Sequence, residues 1–290
     1  MDYPLWLFDQ TGQERYRYFH SGTYVADGLR IGYIRARNYL FYTNAGLNQL
    51  ANEIVYMNNN TDGLVVDVML NNGGVVCAAV EMAAMLIPQE LTISGFSFRP
   101  SQAIISSFDA ALTEAEFFGD AQHEIDLIRF QRDLLVGANE TSRGMTGSLT
   151  PCFYSDFKQT SYAFAYQKPM IVLVDDFSTS AADLFPAMIQ DNARGKLVGM
   201  RTNGAGGNVT GPVPITSWSE LLGTETISMA MRSKEWSYEG FPKSPFIENV
   251  GVRPDVELDY MTVDNLLNAG RPFVTAFTKV IVDEIRAARP

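Results

Sequence analysis

The alternation of apolar and polar positions along the chain predicts an α/β protein. Apolar and polar residues alternate over 29–35, which is typical of a strand with one buried face. The apolar runs over 64–70 and 169–174 are nearly continuous and rich in valine, as expected of strands inside a parallel sheet. A further strand is predicted over 196–199. Because helical patterns lie between these strands, we assign the chain to the α/β class.

Helical spacing of apolar residues is found between and beyond the strands. The predicted helices cover 44–57 with Asn44 as N-cap, 76–87, most of 103–136, 178–188 and about 273–287. A segment rich in Gly, Ser and Thr predicts a loop over 137–150. We interpret residues 100–165 as a helical insertion or cap. Residues 29–290 then form one domain, and residues 1–28 are a lead-in that we interpret as the remnant of an upstream region.

Composition and charge exclude several classes of function. The net charge of −11 over 290 residues argues against nucleic acid, since phosphate binding requires an excess of Lys and Arg on one face. No apolar run reaches the length of a membrane span, and the first residues do not have the pattern of a signal peptide. Cys77 lies in an apolar stretch and is expected to be a buried free thiol. No zinc, nucleotide or flavin motif is present, so we predict no metal and no cofactor.

The strand over 64–70 ends in a double glycine, Gly73–Gly74. Glycines at a strand end allow the backbone to approach a ligand and to direct N–H groups at it, as an oxyanion hole requires. The alternative is a plain tight turn, which pairs of glycines commonly mark and which this motif alone favours.

The segment Ser178–Asp183 lies between a buried strand and a helix. A nucleophile at that junction gains from the N–H groups and the positive end of the helix dipole, which stabilise developing negative charge. The alternative is that a Ser or Thr here is only the N-cap of the helix.

Two more segments, 201–207 and 247–255, follow in the chain. The first is a glycine loop, and the second contains Ile-Glu-Asn-Val-Gly-Val-Arg-Pro-Asp. In order and spacing, the four segments resemble the tail-specific (C-terminal-processing) serine proteases of peptidase family S41, including its tricorn-like and chlamydial-type branches. The resemblance covers roughly 29–258. It implies a crotonase/ClpP-like stack of ββα units with a helical cap and without the PDZ-like module of the family.

The resemblance also implies roles for individual residues. Ser180 matches the nucleophile, and the N–H of Ala181 matches one donor of the oxyanion hole. Gly73 or Gly74 matches the other donor. Ala205 stands where one branch of the family has its catalytic lysine, so a Ser-Lys dyad is not expected.

The glycine loop instead resembles the branch in which a histidine and a glutamate serve the serine. Glu248 matches that glutamate and would orient an imidazole, unless it is an ordinary surface residue that forms a salt bridge. The chain has two histidines, His20 and His123. His20 is the first candidate for the base and His123 the second. The third alternative is a base on a missing upstream segment.

Three functions remain open at this stage. The first is cleavage of peptide bonds through an acyl-enzyme on Ser180, and the second is cleavage of small esters by the same residues. The third is a binding module of the same fold that has lost its base. Homo-oligomers are common in this fold, and the family suggests a periplasmic or secreted protein. Trp236 and Tyr238 either line a substrate cleft or, as we expect, pack in the core.

Overall fold

The computed structural model describes residues 18–141, 144–152, 154–209, 213–214, 220 and 222–289. The strands are β1 (Phe19–Ala26), β2 (Leu29–Ala36), β3 (Gly63–Asp67), β4 (Leu91–Thr92), β5 (Gly95–Phe98), β6 (Ser148–Leu149), β7 (Lys158–Gln159), β8 (Met170–Val174), β9 (Lys196–Gly199), β10 (Gly207–Val209), β11 (Val213–Pro214), β12 (Leu222–Gly223), β13 (Thr226–Trp236), β14 (Ser244–Phe246) and β15 (Val256–Glu257). The helices are α1 (Asn44–Asn60), α2 (Val76–Leu86), α3 (Gln102–Phe118), α4 (Gln122–Thr141), α5 (Ala181–Asp191), α6 (Val263–Leu267) and α7 (Arg271–Ala287).

The main sheet has six strands in the order β1-β2-β3-β8-β9-β15. All neighbours are parallel except β1 and β2, which are antiparallel. Every residue of β3 and β8 is buried, as predicted from their continuous apolar runs. The run over 64–70 ends as a strand at Asp67, and the sheet begins at Phe19, ahead of the first predicted strand.

Helices cover both faces of the main sheet. The sheet therefore separates two hydrophobic cores, one on each face. The core on one face contains Ile34 and Val66 together with residues of α1, α2 and α5. The core on the other face contains Val65 and Leu173 together with residues of α7. Helix α1 begins at Asn44, so its N-cap is Thr43, one residue before the predicted cap, and the Thr43 side chain accepts from Gly46 N–H. A Thr oxygen at that position satisfies an N–H that the helix itself cannot.

The predicted insertion contains a helical hairpin. Gly119, with φ 72°, ends α3 in a left-handed cap, and α4 returns alongside it. Two ion pairs, Arg132–Asp109 and Arg129–Glu116, join the two helices. The loop predicted over 137–150 is wrong in part, because α4 continues to Thr141 and β6 follows at Ser148–Leu149.

A second sheet, which the sequence pattern did not predict, lies beside the first. Its strands follow the order β10-β13-β5-β6, and β14 pairs with β13. Strand β13 has no continuous apolar run, and its buried residues alternate with partly exposed ones. Its neighbours β10 and β14 are close to it in sequence, but β5 comes from a distant part of the chain, so only the folded chain reveals that pairing.

The prediction of a free thiol at Cys77 is wrong. Cys77 at the start of α2 forms a disulfide with Cys152, and the two Cα atoms are 5.7 Å apart. Tyr154 adds a hydrogen bond of 2.7 Å from its hydroxyl to Glu81 Oε1 on the same helix. An apolar neighbourhood indicated burial of Cys77 but not its partner, which lies 75 residues away in sequence.

Candidate active site

Loops that follow three neighbouring parallel strands meet at the carboxyl edge of the main sheet. The double glycine follows β3, the Ser180 turn follows β8, and the glycine loop 201–207 follows β9. Ligands of open α/β sheets bind at this edge, because the loops of adjacent strands converge there. Three of the four motif segments are therefore neighbours in space.

Ser180 occupies a strained turn between β8 and α5. Its backbone angles are φ 60° and ψ −118°, a combination that residues with a Cβ rarely adopt. Asp183 Oδ2 accepts from the Ser180 N–H at 2.7 Å, and Ser180 O accepts from the Leu184 N–H at 3.1 Å. The side chain is partly exposed. A strained strand–turn–helix junction that presents a serine is the geometry of a nucleophile elbow.

The double glycine packs directly against the Ser180 turn. A Cβ added to Gly73 would lie 2.7 Å from Ser180 Cβ and 3.1 Å from Ala181 N, so no larger residue fits. The Gly73 N–H donates to Asn71 Oδ1 at 2.9 Å. Ala181 begins α5, where first-turn N–H groups have no partner within the helix. The next residue, Gly74, is exposed, with φ 139°. The structure thus brings Gly73, Ser180 and Ala181 together and directs the Gly73 amide at Asn71.

A buried carboxylate, Asp175, joins the loops that follow β3 and β8. It accepts from the Leu70 N–H at 3.0 Å and from the Phe177 N–H at 3.2 Å. Ser178 Oγ lies 3.0 Å from the same carboxylate. Because Leu70 leads into the double glycine and Ser178 into the Ser180 turn, Asp175 fixes the two loops relative to each other. Sequence analysis missed this role, although an acidic residue directly after a buried strand was an available signal.

A second buried carboxylate, Asp183, joins the Ser180 turn to the glycine loop. Its Oδ2 accepts from Ser180, and its Oδ1 accepts from the Gly204 N–H at 2.9 Å. Burial raises the pKa of Asp183 to about 6, while hydrogen bonds from the Thr202 hydroxyl and from the amides of Gly204, Ser180 and Ala205 lower it. The side chain is fully buried.

The glycine loop places Glu248 at the same edge of the sheet. The Asn249 N–H donates to Gly204 O at 2.6 Å, and a Cβ on Gly207 would lie 3.0 Å from Glu248 Oε2. The turn 247–251 therefore lies on the backbone of the glycine loop, and Glu248 is half-buried there. A carboxylate one loop away from the Ser180 turn is suited to orienting an imidazole.

The structure does not bring His20 between Ser180 and Glu248. His20 lies on β1, opposite Arg35, three strand spacings or about 14 Å from β8. The loop that supports Glu248 follows β9, on the other side of β8. Because Phe19 belongs to the core that contains α5, His20 points to the opposite face of the sheet. An imidazole that serves both Ser180 and Glu248 must lie between them.

His20 lines a surface pocket of about 430 Å³ beside the double-glycine loop. The pocket is formed by Tyr18, His20, Arg37, Asn38, Leu40, Leu70 and Asn72. His123, the second candidate, is exposed at the start of α4, in the helical hairpin.

The aromatic residues Trp236 and Tyr238 pack around a buried ion pair. Arg232 and Asp191 are both almost completely buried, with Nη2 and Oδ1 2.5 Å apart. Trp236 Nε1 donates to Asp191 Oδ1 at 2.8 Å, and Arg232 Nη1 donates to the Tyr238 hydroxyl at 3.1 Å. These contacts agree with packing rather than with a cleft lining. They also satisfy a carboxylate and a guanidinium that would be costly to bury alone.

Within the described ranges, no group of three or more His, Cys, Asp or Glu is arranged to hold a metal ion. No helix in those ranges is long and apolar enough to cross a lipid bilayer.

Known proteins share both the sequence pattern and the fold. A protein of Chlamydia pneumoniae is 25% identical over 311 residues, which cover 97% of this chain and 48% of that protein. The crystal structure of mature chlamydial CPAF has a TM-score of 0.73 at 22% identity, covering 94% of this chain and 55% of the other. The photosystem II D1 C-terminal processing protease has a TM-score of 0.50 at 18% identity, with coverages of 83% and 48%.

At these identities, the two structural likenesses establish a mixed α/β fold shared with S41 peptidases. The chain spans about half the length of the Chlamydia pneumoniae protein. The sequence profile described as Peptidase family S41 matches residues 30–258, which is well over half of the chain. The chain therefore belongs to peptidase family S41.

Proposed function

We propose that this chain is the catalytic domain of a serine peptidase that cleaves peptide bonds through an acyl-enzyme on Ser180. The observation that carries the proposal is the strained Ser180 turn in contact with Gly73 at the carboxyl edge of the sheet. Membership of a peptidase family supports the peptide bond as the target. The core is proposed to be the crotonase/ClpP-like stack of ββα units.

The proposed reaction begins with attack of Ser180 Oγ on the carbonyl carbon of the scissile bond. The Oγ proton passes to an imidazole, which then gives it to the leaving amine, and water hydrolyses the acyl-enzyme. The oxyanion accepts hydrogen bonds from the Ala181 N–H and from the double-glycine loop. Because Asn71 already accepts from the Gly73 N–H, we assign the second donor to Gly74.

Glu248 orients the imidazole from the side of the glycine loop. His20 lies on the other side of the nucleophile and on the other face of the sheet, and His123 lies in the insertion. We therefore propose that neither histidine of the chain is the base. The imidazole then comes from a segment outside these 290 residues.

Unstructured C-terminal segments are the proposed substrates. One structural neighbour is named as a C-terminal processing protease, and the S41 match extends that substrate class to this chain as a proposal. No contact in the described residues favours small esters or a module without catalysis.

Covalent labelling with a fluorophosphonate, read by peptide mass spectrometry, tests the nucleophile. The adduct is expected on Ser180, absent from Ser180→Ala and retained in Thr179→Ala, whose hydroxyl is the neighbouring one. An adduct elsewhere, or no adduct under any condition, would contradict the assignment.

Added imidazole tests the origin of the base. If the imidazole is external to the chain, free imidazole accelerates labelling of the wild-type protein and of His20→Ala to the same extent. If His20 is the base, imidazole leaves the wild type unchanged and rescues only His20→Ala. Cleavage of unfolded casein compared with a short-chain aryl ester then separates peptidase from esterase activity.

A further inference from the structure

We propose that Asp183 is a positioning residue, which holds the Ser180 turn and the glycine loop at a fixed separation so that nucleophile and Glu248 stay aligned. The inference rests on the proposed roles of Ser180 and Glu248. Asp183 does not contact the reacting atoms. It acts through its hydrogen bonds to the backbone of Ser180 and of Gly204.

The hydrogen bonds of Asp183 go beyond those of a helix cap. A first-turn carboxylate normally accepts from the N-terminal amides of its own helix and lies near solvent. Asp183 uses only Oδ2 in this way, for the Ser180 N–H. Its Oδ1 leaves the helix and accepts from Gly204, 21 residues further along the chain. The side chain is also fully buried.

Gly204 extends the connection to the turn that carries Glu248. Its N–H donates to Asp183, while its C=O accepts from the Asn249 N–H at 2.6 Å. A continuous chain of hydrogen bonds thus runs from the Ser180 amide through the Asp183 carboxylate and the Gly204 peptide group to Asn249, the residue next to Glu248. A shift of Asp183 therefore displaces nucleophile and glutamate relative to each other.

Both carboxylate oxygens are needed for this role. Asn at position 183 has one acceptor oxygen and one NH₂ donor, so it satisfies either Ser180 or Gly204 and opposes the other amide with a donor. Glu keeps both acceptors on a longer stem. We expect Asp183→Asn to separate the two loops and Asp183→Glu to restore part of the connection.

Protonation of Asp183 has the same consequence as the Asn substitution. Thr202, Ser180, Gly204 and Ala205 contact the carboxyl through neutral groups only. Because burial raises its pKa to about 6, the carboxylate form is lost as the pH falls through that value. One oxygen then carries a proton and accepts poorly, so the connection weakens below about pH 6 and is intact above it.

Amide hydrogen exchange tests the connection without any need for catalysis. We would compare wild type, Asp183→Asn, Asp183→Glu and Asp62→Asn, and correct for intrinsic exchange at each pH. Asp62 is the matched control, since its Oδ2 accepts from the Arg30 N–H and its Oδ1 from Arg289, far from the site. Exchange in peptides 176–183 and 200–207 should rise at least tenfold in Asp183→Asn and stay unchanged in Asp62→Asn.

The pH dependence of Ser180 labelling supplies a readout that a merely structural role would not change. An imidazole base has its own acid limb near pH 6.5, so the wild-type log rate should approach a slope of 2 below both pKa values. Asp183→Asn should label at least tenfold more slowly, with a slope of 1. Asp183→Glu should recover rate and the steeper slope.

Two results would overturn the inference. One is unchanged exchange of both peptides in Asp183→Asn and in the wild type between pH 7.5 and pH 5. The other is a wild-type acid limb identical in rate and slope to that of Asp183→Asn. If Asp183→Asn does not fold, the wild-type pH series and Asp183→Glu carry the test. Loss of Ser180 labelling in the wild type itself would refute the proposed function and leave the exchange result to decide on Asp183.

Discussion

The two sides of Ser180, the proposed nucleophile, are built differently. On the glycine-loop side (201–207 with 247–251), buried hydrogen bonds connect Ser180 through Asp183 to the turn that carries Glu248. On the β1 side (His20 and its pocket), the lining residues are mostly exposed, among them Leu40 and Leu70. Backbone amides determine the geometry of the first side, whereas side chains at the sheet edge form the second.

This difference indicates where the alignment of the site resides. A buried backbone N–H that donates to a buried carboxylate has few other acceptors, because water does not reach it. Each amide that loses its partner therefore costs about 1–3 kcal/mol of stability. Exposed side chains exchange partners with water at little cost. Substitutions on the glycine-loop side should therefore change Ser180 reactivity far more than substitutions on the β1 side. The expected change in the fluorophosphonate labelling rate, measured at the imidazole concentration at which wild type is labelled fastest, decreases from Glu248→Gln to His20→Ala.

The largest change is expected for Glu248→Gln, at about 10²-fold or more. The amide cannot stabilise an imidazolium and favours the wrong tautomer. Glu257→Gln on β15, an exposed glutamate on the same side of the sheet, should label as wild type does. Equal labelling rates for Glu248→Gln and Glu257→Gln would show that Glu248 has no role in the reaction of Ser180.

Gly204→Ala should slow labelling about tenfold and lower the free energy of unfolding by about 2 kcal/mol. Gly204 has φ +81°, and a Cβ there would lie 2.8 Å from Gly251 N. Gly137→Ala is the control, because its Cβ meets nothing within 4 Å and Ala favours the interior of helix α4. Urea unfolding measures the free energy of unfolding of both variants. Gly137→Ala should be at least as stable as wild type.

Reduction of the Cys77–Cys152 disulfide should change stability much more than labelling. The bridge closes a loop of 75 residues, worth about 4 kcal/mol if its effect is the entropy of the unfolded chain. Helix α2 keeps its buried residues and the Tyr154–Glu81 bond, so the labelling rate should fall less than threefold. The double variant Cys77→Ser/Cys152→Ser should reproduce the loss and no longer respond to reductant. If the melting temperature of the wild type is the same with and without reductant, the disulfide does not stabilise the protein as expected.

His20→Ala should have the smallest effect, less than twofold. Its position on β1 separates it from the pair formed by Ser180 and Glu248. A loss that approaches that of Glu248→Gln would show that the β1 side closes on the nucleophile, and the contrast between the two sides would fail.

Local sequence was sufficient for the buried strands β3 and β8 and for the turn between strand and helix that carries Ser180. The valine-rich runs predicted β3 and β8 because strands inside a parallel sheet have no polar face. The second sheet was not predicted, because β13 pairs with β5, which is far away in sequence. The disulfide was missed for the same reason, since burial of Cys77 says nothing about a partner at 152.

The sequence by itself determined the family, the order of the motifs and the residue types that the chemistry requires. By resemblance it also predicted that the base is not a lysine, since Ala205 stands at that position. Only the tertiary structure decided which of these residues meet. The strand order places Glu248 and His20 on opposite sides of Ser180, and that order arises from long-range pairing. The raised pKa of Asp183 likewise follows from burial between two loops, which exists only once β8 and β9 lie side by side.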